Sequence, residues 1–211
     1  MKMLRKLFLL AIVLAGTTAT ASTPMINCLL LGATSSVSEE DFQKERLAAI
    51  KFITAYYVRA QNNPACRSDW LCVNFFGGDD DYTGMPFFKC DDEEAIQRVV
   101  KQIATMPHPK YKNSSVYTAI GRGLLECMEK EKSLSGKYAK NIIIVTSGQD
   151  NSSDPGLVES IKKSFPNRYA SLCIIGVGSK ANMASLGPLA DICINVDNFD
   201  NLLIALILAG Q

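Results

Sequence analysis

Three short apolar runs, each without polar alternation and each opening into a polar loop, limit what this chain can fold into more than any other feature. Residues 27–38 read Asn-Cys-Leu-Leu-Leu-Gly-Ala-Thr-Ser-Ser-Val-Ser. Residues 141–146 read Asn-Ile-Ile-Ile-Val-Thr before Ser-Gly-Gln-Asp-Asn, and residues 171–177 read Ser-Leu-Cys-Ile-Ile-Gly-Val before Gly-Ser. A half-exposed strand alternates with period two, whereas an unbroken apolar run is a strand covered on both faces, the habit of parallel sheets flanked by helices. A shorter run at 192–196 makes a further strand. In an open α/β sheet, ligands bind outside the carboxyl ends of the strands, so the loops after these runs form the functional rim.

Helices fill the intervals. Ser38 followed by Glu39, Glu40 and Asp41 is a helix start, since the hydroxyl caps and the carboxylates complement the helix dipole. Ala49, Phe52, Ile53, Tyr56 and Ala60 then recur at helical spacing, and Asn-Asn-Pro at 62–64 ends the run. A second helix spans 92 to about 105 around Ile96, Val99, Val100 and Ile103. The strongest stripe is Val116, Ala119, Ile120, Gly123, Leu124, Cys127 and Met128, whose small residues permit close approach to a neighbouring backbone. Pro155 suits the first turn of a fourth helix, and Phe199, Leu202, Leu203, Leu206 and Ile207 mark a terminal one. Residues 70–76 and 84–90 are strands whose connection is too short for a crossover, hence an antiparallel hairpin, with Asp79, Asp80 and Asp81 as its solvated tip. The expected architecture is α/β: a doubly wound, mainly parallel open sheet with one antiparallel edge hairpin and helices on both faces.

The chain starts with a basic segment holding Lys2, Arg5 and Lys6, an apolar run at 7–16 and the small residues 17–22. This is the pattern of a secretory signal peptide over 1–21, leaving 22–211 as one domain. The apolar run is shorter than the ~18–20 residues a spanning helix needs, so no stable membrane span is expected after cleavage. The 22 basic and 21 acidic residues form no clustered basic stripe, which excludes a nucleic-acid binder. The seven cysteines are Cys28, Cys66, Cys72, Cys90, Cys127, Cys173 and Cys193, an odd number for an exported protein. Cys66 and Cys90 flank the open end of the hairpin and form the leading disulfide pair. No two cysteines stand at the Cys-x-x-Cys spacing of a redox or zinc site, which argues against a metal role for them. His108 lies between two prolines in a polar loop, where exposure is expected rather than catalysis.

The order of these elements, the hydroxyl loop after the first strand, the small hydroxyls before Tyr-x-Ala-Ile and the run Ile-Ile-Val-Thr-Ser-Gly-Gln-Asp-Asn resemble the von Willebrand factor type A (vWA) domain. The ending from Asp191 to Ile207 also resembles that family's last strand and helix. The resemblance implies a protein-binding domain, and in many members a metal-ion-dependent adhesion site (MIDAS) with Asp-x-Ser-x-Ser on the first loop, a Thr on the second and an Asp on the third. Gly32, Thr34 and Ser36 take the first set of positions here, Ser114 the second and Ser147 the third. Both carboxylates are therefore missing. Hydroxyls alone compensate poorly for the hydration that magnesium or manganese would lose.

These readings give an exported protein-binding domain of adhesion or scaffold type, with no cofactor, no metal and a protein partner in the envelope or extracellular space. The alternative is metal-dependent adhesion through the remaining hydroxyls, with Asp150 or the ligand supplying a carboxylate. A hydrolase is disfavoured: no Gly-x-Ser-x-Gly elbow occurs, and Ser36 or a cysteine would have to act with His108 as base.

Overall fold

The first strand, β1 (Met25–Gly32), lies in the middle of the sheet and has almost no exposed side chain. The computed structural model describes residues 23–164, 170–181 and 183–210; the leader expected at 1–21 lies outside the described residues. β1 pairs in parallel with β2 (Trp70–Phe76) on one side and β5 (Ala139–Thr146) on the other. β6 (Ser171–Val177) and β7 (Ile192–Val196) extend the sheet beyond β5, again in parallel. Two short antiparallel pieces, β3 (Tyr82–Gly84) and β4 (Phe88–Lys89), close the other edge against β2. The order is β3-β2-β1-β5-β6-β7, with β4 also on β2. The expected parallel doubly wound sheet with an antiparallel edge is thus the architecture of the chain.

Alternation along the central strands sends Leu29, Leu31, Val73, Phe75, Ile143, Val145, Cys173 and Ile175 to one face. There they meet α1 (Glu39–Asn62), α2 (Glu93–Thr105) and α6 (Leu202–Ala209). Ile26, Cys28, Leu30, Cys72, Ile142, Ile144, Leu172 and Ile174 point to the opposite face. That layer is covered by α3 (Val116–Lys132), with α4 (Pro155–Ser164) beside it and α5 (Met183–Leu186) contributing Leu186. Burial of two apolar layers on one sheet is what makes the apolar strands unbroken in sequence. Ser38 caps α1 as expected: its hydroxyl accepts from the Asp41 amide at 3.1 Å. Asp92 does the same for α2 through the Ala95 amide.

Three expectations are corrected. The hairpin's second arm is not one strand over 84–90: it starts at Tyr82 and breaks between Gly84 and Phe88. Pro86 sits in the break and has no amide to donate to a ladder. Cys66 and Cys90 do not form a disulfide; both are buried free thiols, and Cys66 Sγ accepts from Arg59 Nε at 3.1 Å. Cys66 is held in a 3-10 turn (Pro64–Ser68), while the Cys90 amide donates a hydrogen bond to the Asp69 carbonyl at 2.9 Å. His108 is not exposed. Its side chain is 1% accessible and stacks on Phe42 with ring centroids 4.3 Å apart.

Candidate functional site

Four loops converge at the carboxyl ends of β1, β5 and β6. They enclose a cleft of about 490 Å³. The loop after β1 supplies Thr34, Ser35 and Ser36; the loop before α3 supplies Lys112, Asn113 and Ser114; the loop after β5 supplies Ser147, Gly148, Gln149 and Asn151. Ser179 and Lys180 follow β6. The cleft thus lies on the carboxyl rim of the sheet. Of the expected site residues, the structure brings Thr34, Ser36, Ser114 and Ser147 together in one lining and leaves Gly32 and Asp150 out of it.

Each loop is held by its neighbours. The Thr34 and Ser36 hydroxyls share a hydrogen bond of 2.7 Å. The Ser35 amide donates to the Tyr111 carbonyl at 2.7 Å, and the Tyr111 amide donates back to Ala33 at 3.1 Å, so the first and second loops form a short ladder. Tyr111 in turn presses on the hairpin turn: a Cβ added to Gly77 would lie 2.2 Å from the Tyr111 Cβ. Only a glycine permits that approach. The second and third loops are cross-linked reciprocally, because the Ser114 amide donates to Asn151 Oδ1 at 2.8 Å and the Asn151 amide donates to the Ser114 carbonyl at 2.9 Å. Ser115 and Ser152 share a hydroxyl bond of 2.5 Å.

Gly32 belongs to the sheet rather than the cleft. A Cβ there would stand 3.1 Å from the Val145 carbonyl oxygen and 3.4 Å from the Phe76 ring. Asp150 has a different task from the one the metal reading gives it. Its Oδ2 accepts from the Tyr117 amide at 2.9 Å and the Ser153 hydroxyl at 2.6 Å, and its Oδ1 accepts from the Ser153 amide at 3.0 Å. Ser115, the N-cap residue of α3, makes no side-chain cap bond. Asp150 replaces that cap from another loop, with its negative charge at the positive end of the helix. The Ser153 hydroxyl takes the next amide, Thr118, at 3.2 Å.

The acidic hairpin tip is also engaged rather than simply solvated. Asp79 Oδ1 accepts from the Thr118 hydroxyl at 2.5 Å, and Arg122 donates to the Asp79 carbonyl. Among the described residues, therefore, no carboxylate lines the cleft, and its charged members are Lys112 and Lys180. The sequence reading missed both lysines. The signal available was their position: each lies in a loop that the strand order places on the rim.

Behind the first loop, burial lowers the pKa of His108 below its ordinary 6.5, against an opposing pull from Glu39, whose Oε2 is 3.8 Å from Nδ1. Neither ring nitrogen makes a hydrogen bond of normal geometry. His108 does not line the cleft and lies in the Phe42 stack instead.

This sheet order, with its rim of four loops, is the vWA-like, Rossmann-like α/β fold. Among solved structures, proximal thread matrix protein 1 from the mussel byssus superposes with a TM-score of 0.68 at 14% identity, over 89% of this chain and 47% of that one. One form of that protein has its MIDAS motif occupied by zinc. The pilus adhesin SpaC from Lactobacillus rhamnosus GG gives 0.70 at 10% identity, over 92% of this chain and 31% of that one. The ArnB paralog VWA2 from Sulfolobus acidocaldarius gives 0.59 at 13% identity, over 89% and 45%. The chain spans less than half the length of each of these neighbours. No protein-family model matches the sequence, and no curated protein matches it.

Proposed function

We propose that this chain is an exported, non-enzymatic protein-binding domain of the adhesion or scaffold type, whose rim is a degenerate MIDAS that engages its partner without a divalent cation. The composition of the cleft carries this reading: hydroxyls and amides are joined by Lys112 and Lys180, with no carboxylate in the lining. A magnesium ion there would exchange its hydration shell for neutral oxygens beside two like charges. The same cleft favours an acidic group of the partner directly, through lysine and hydroxyl donors. Export rests on the leader pattern at 1–21. No helix among the described residues is long and apolar enough to cross a membrane. The metal-dependent alternative loses the Asp150 carboxylate, which is committed to the start of α3, and would depend on a carboxylate of the ligand alone. The hydrolase alternative would need His108 as base, and that ring is stacked in the core.

Calorimetric titration of the full chain with magnesium and with manganese tests the reading; no saturable heat is expected. Crosslinked capture from the host's extracellular fraction is expected to survive chelator and to weaken in Lys112→Glu/Lys180→Glu. Release by chelator that added magnesium reverses would overturn it.

A further inference from the structure

A second group of ligating side chains lies far from the rim, on the α3 face of the sheet. Cys28 on β1 and Cys72 on β2 are register partners in adjacent parallel strands, and both are fully buried. The helix above them brings Glu126 and Cys127. It comes close because residue 123 is glycine: a Cβ there would lie 3.1 Å from Leu30 Cδ1 and 3.3 Å from Cys28 Sγ. One ligating atom from each of Cys28, Cys72 and Glu126 lies within 4.8 Å of the other two. The Cys72 and Cys127 thiols both adjoin Cys28.

Buried cysteine alone behaves as a small hydrophobe, and an apolar cluster would explain the three thiols. It does not explain the polar groups aimed at them. Asn74 Nδ2 stands 3.6 Å from Cys28 Sγ and 3.8 Å from Cys72 Sγ, and also donates to Glu126 Oε2 at 2.8 Å. Tyr82 donates its hydroxyl to the same Glu126 oxygen at 3.1 Å. Asn74 itself is fixed, since its Oδ1 accepts from the Met85 amide at 3.1 Å. Glu126 Oε2 is thus oriented by two donors, and a metal ligand held by such outer hydrogen bonds is the usual arrangement. Access exists as well: Glu126 lines an external cleft of about 400 Å³ with Met85, Pro86 and Phe87.

We propose that Cys28, Cys72 and Glu126 form a buried three-ligand site for a thiophilic divalent ion, of which zinc is the fit, with its fourth position open to water from the cleft beside Glu126. Tetrahedral zinc with thiolate bonds of ~2.3 Å sets its ligands ~3.8 Å apart, so closing the site requires side-chain movement of no more than about an ångström. Two thiolates and one carboxylate around a dication leave one negative charge, which Arg122 faces from the side of Glu126. Thiolate ligation expels the thiol protons, so affinity falls as the solution is acidified. The site is independent of the rim, which holds no thiol in its lining.

The test uses the full chain, purified under reducing, oxygen-free conditions, stripped of metal by chelator and titrated with cobalt(II) alone. One equivalent is expected to produce thiolate-to-cobalt charge-transfer absorption, which zinc then abolishes by displacement. The absorption should be lost in Cys72→Ser and weakened at least ~10-fold in affinity in Glu126→Gln, a half-buried position whose substitution leaves the core intact. Cys193→Ser, at an exposed thiol, should behave as the parent chain. Absence of charge-transfer absorption in fully reduced protein would overturn the proposal. So would unaltered binding in both variants, or peptide mapping that finds a disulfide among Cys28, Cys72 and Cys127 in the native protein.

Discussion

Glu45 offers a sharp test of the packing described above. It lies on the inward side of α1 with 1% of its surface accessible, and its Oε2 has no hydrogen-bond partner. Burial raises its pKa well above the ordinary 4.5. Leaving a buried polar group unsatisfied costs ~1–3 kcal/mol. Glu45→Met keeps the length of the side chain and removes the polar atoms, so it should stabilise the native state at pH 7. For a domain of this size, ~1 kcal/mol moves the melting midpoint by ~2–4 °C, which puts the expected rise at ~2–12 °C. The pH dependence gives the sign check. Above pH 4.5 the unfolded chain releases the Glu45 proton while the folded chain keeps it, so native stability falls as pH rises through that window up to the raised folded value. Glu45→Met and Glu45→Gln both lack this loss. Their advantage in thermal melts should therefore be largest at neutral pH and shrink toward pH 4. No gain for either variant at pH 7, or a gain of equal size at pH 4, would refute the reasoning.

Two further outcomes are expected. Asp150→Ala strands the Tyr117 amide and both Ser153 donors, so the urea midpoint should fall by the equivalent of ~1–2 kcal/mol with unchanged slope. His108→Phe should preserve the stack on Phe42 and flatten the acid side of the stability curve. With the folded pKa lowered below 6.5, the unfolded chain takes up a proton first, so the parent loses stability as pH drops below 6.5 and the variant does not. Glu45 and His108 pull in opposite directions with pH, and denaturation of the two variants separately resolves them.

The parts of the fold that are legible in sequence are those written in one contiguous pattern. The unbroken apolar runs of β1, β5 and β6 identify buried parallel strands, and Ser38 and Asp92 mark helix starts where the caps are found. The hairpin is legible as a connection too short for a helix, and Pro86, which cannot donate to a ladder, is the residue that marks its break. The site was half legible. Thr34, Ser36, Ser114 and Ser147 converge as their loop positions require, whereas Asp150 turns away because the start of α3 lacks a local cap. His108 illustrates the limit from the other side: a polar loop sequence predicts exposure, and only the tertiary position of Phe42 puts the ring in the core. The thiol cluster had no linear signature. Its members at 28, 72 and 127 are joined by strand register and a helix crossing, so spacing rules that detect short metal motifs pass over them.

The contact between Gly77 and Tyr111 bears on how variation in this chain is to be interpreted. Any side chain at 77 must push Tyr111 aside, and Tyr111 carries both bonds that position Ala33 and Ser35 beside the cleft. In a saturation map of partner recognition, position 77 will score as strongly as the cleft residues, although it does not line the cleft. Recognition thus constrains the hairpin turn as well as the rim, through a contact that no inventory of cleft-lining residues would reveal.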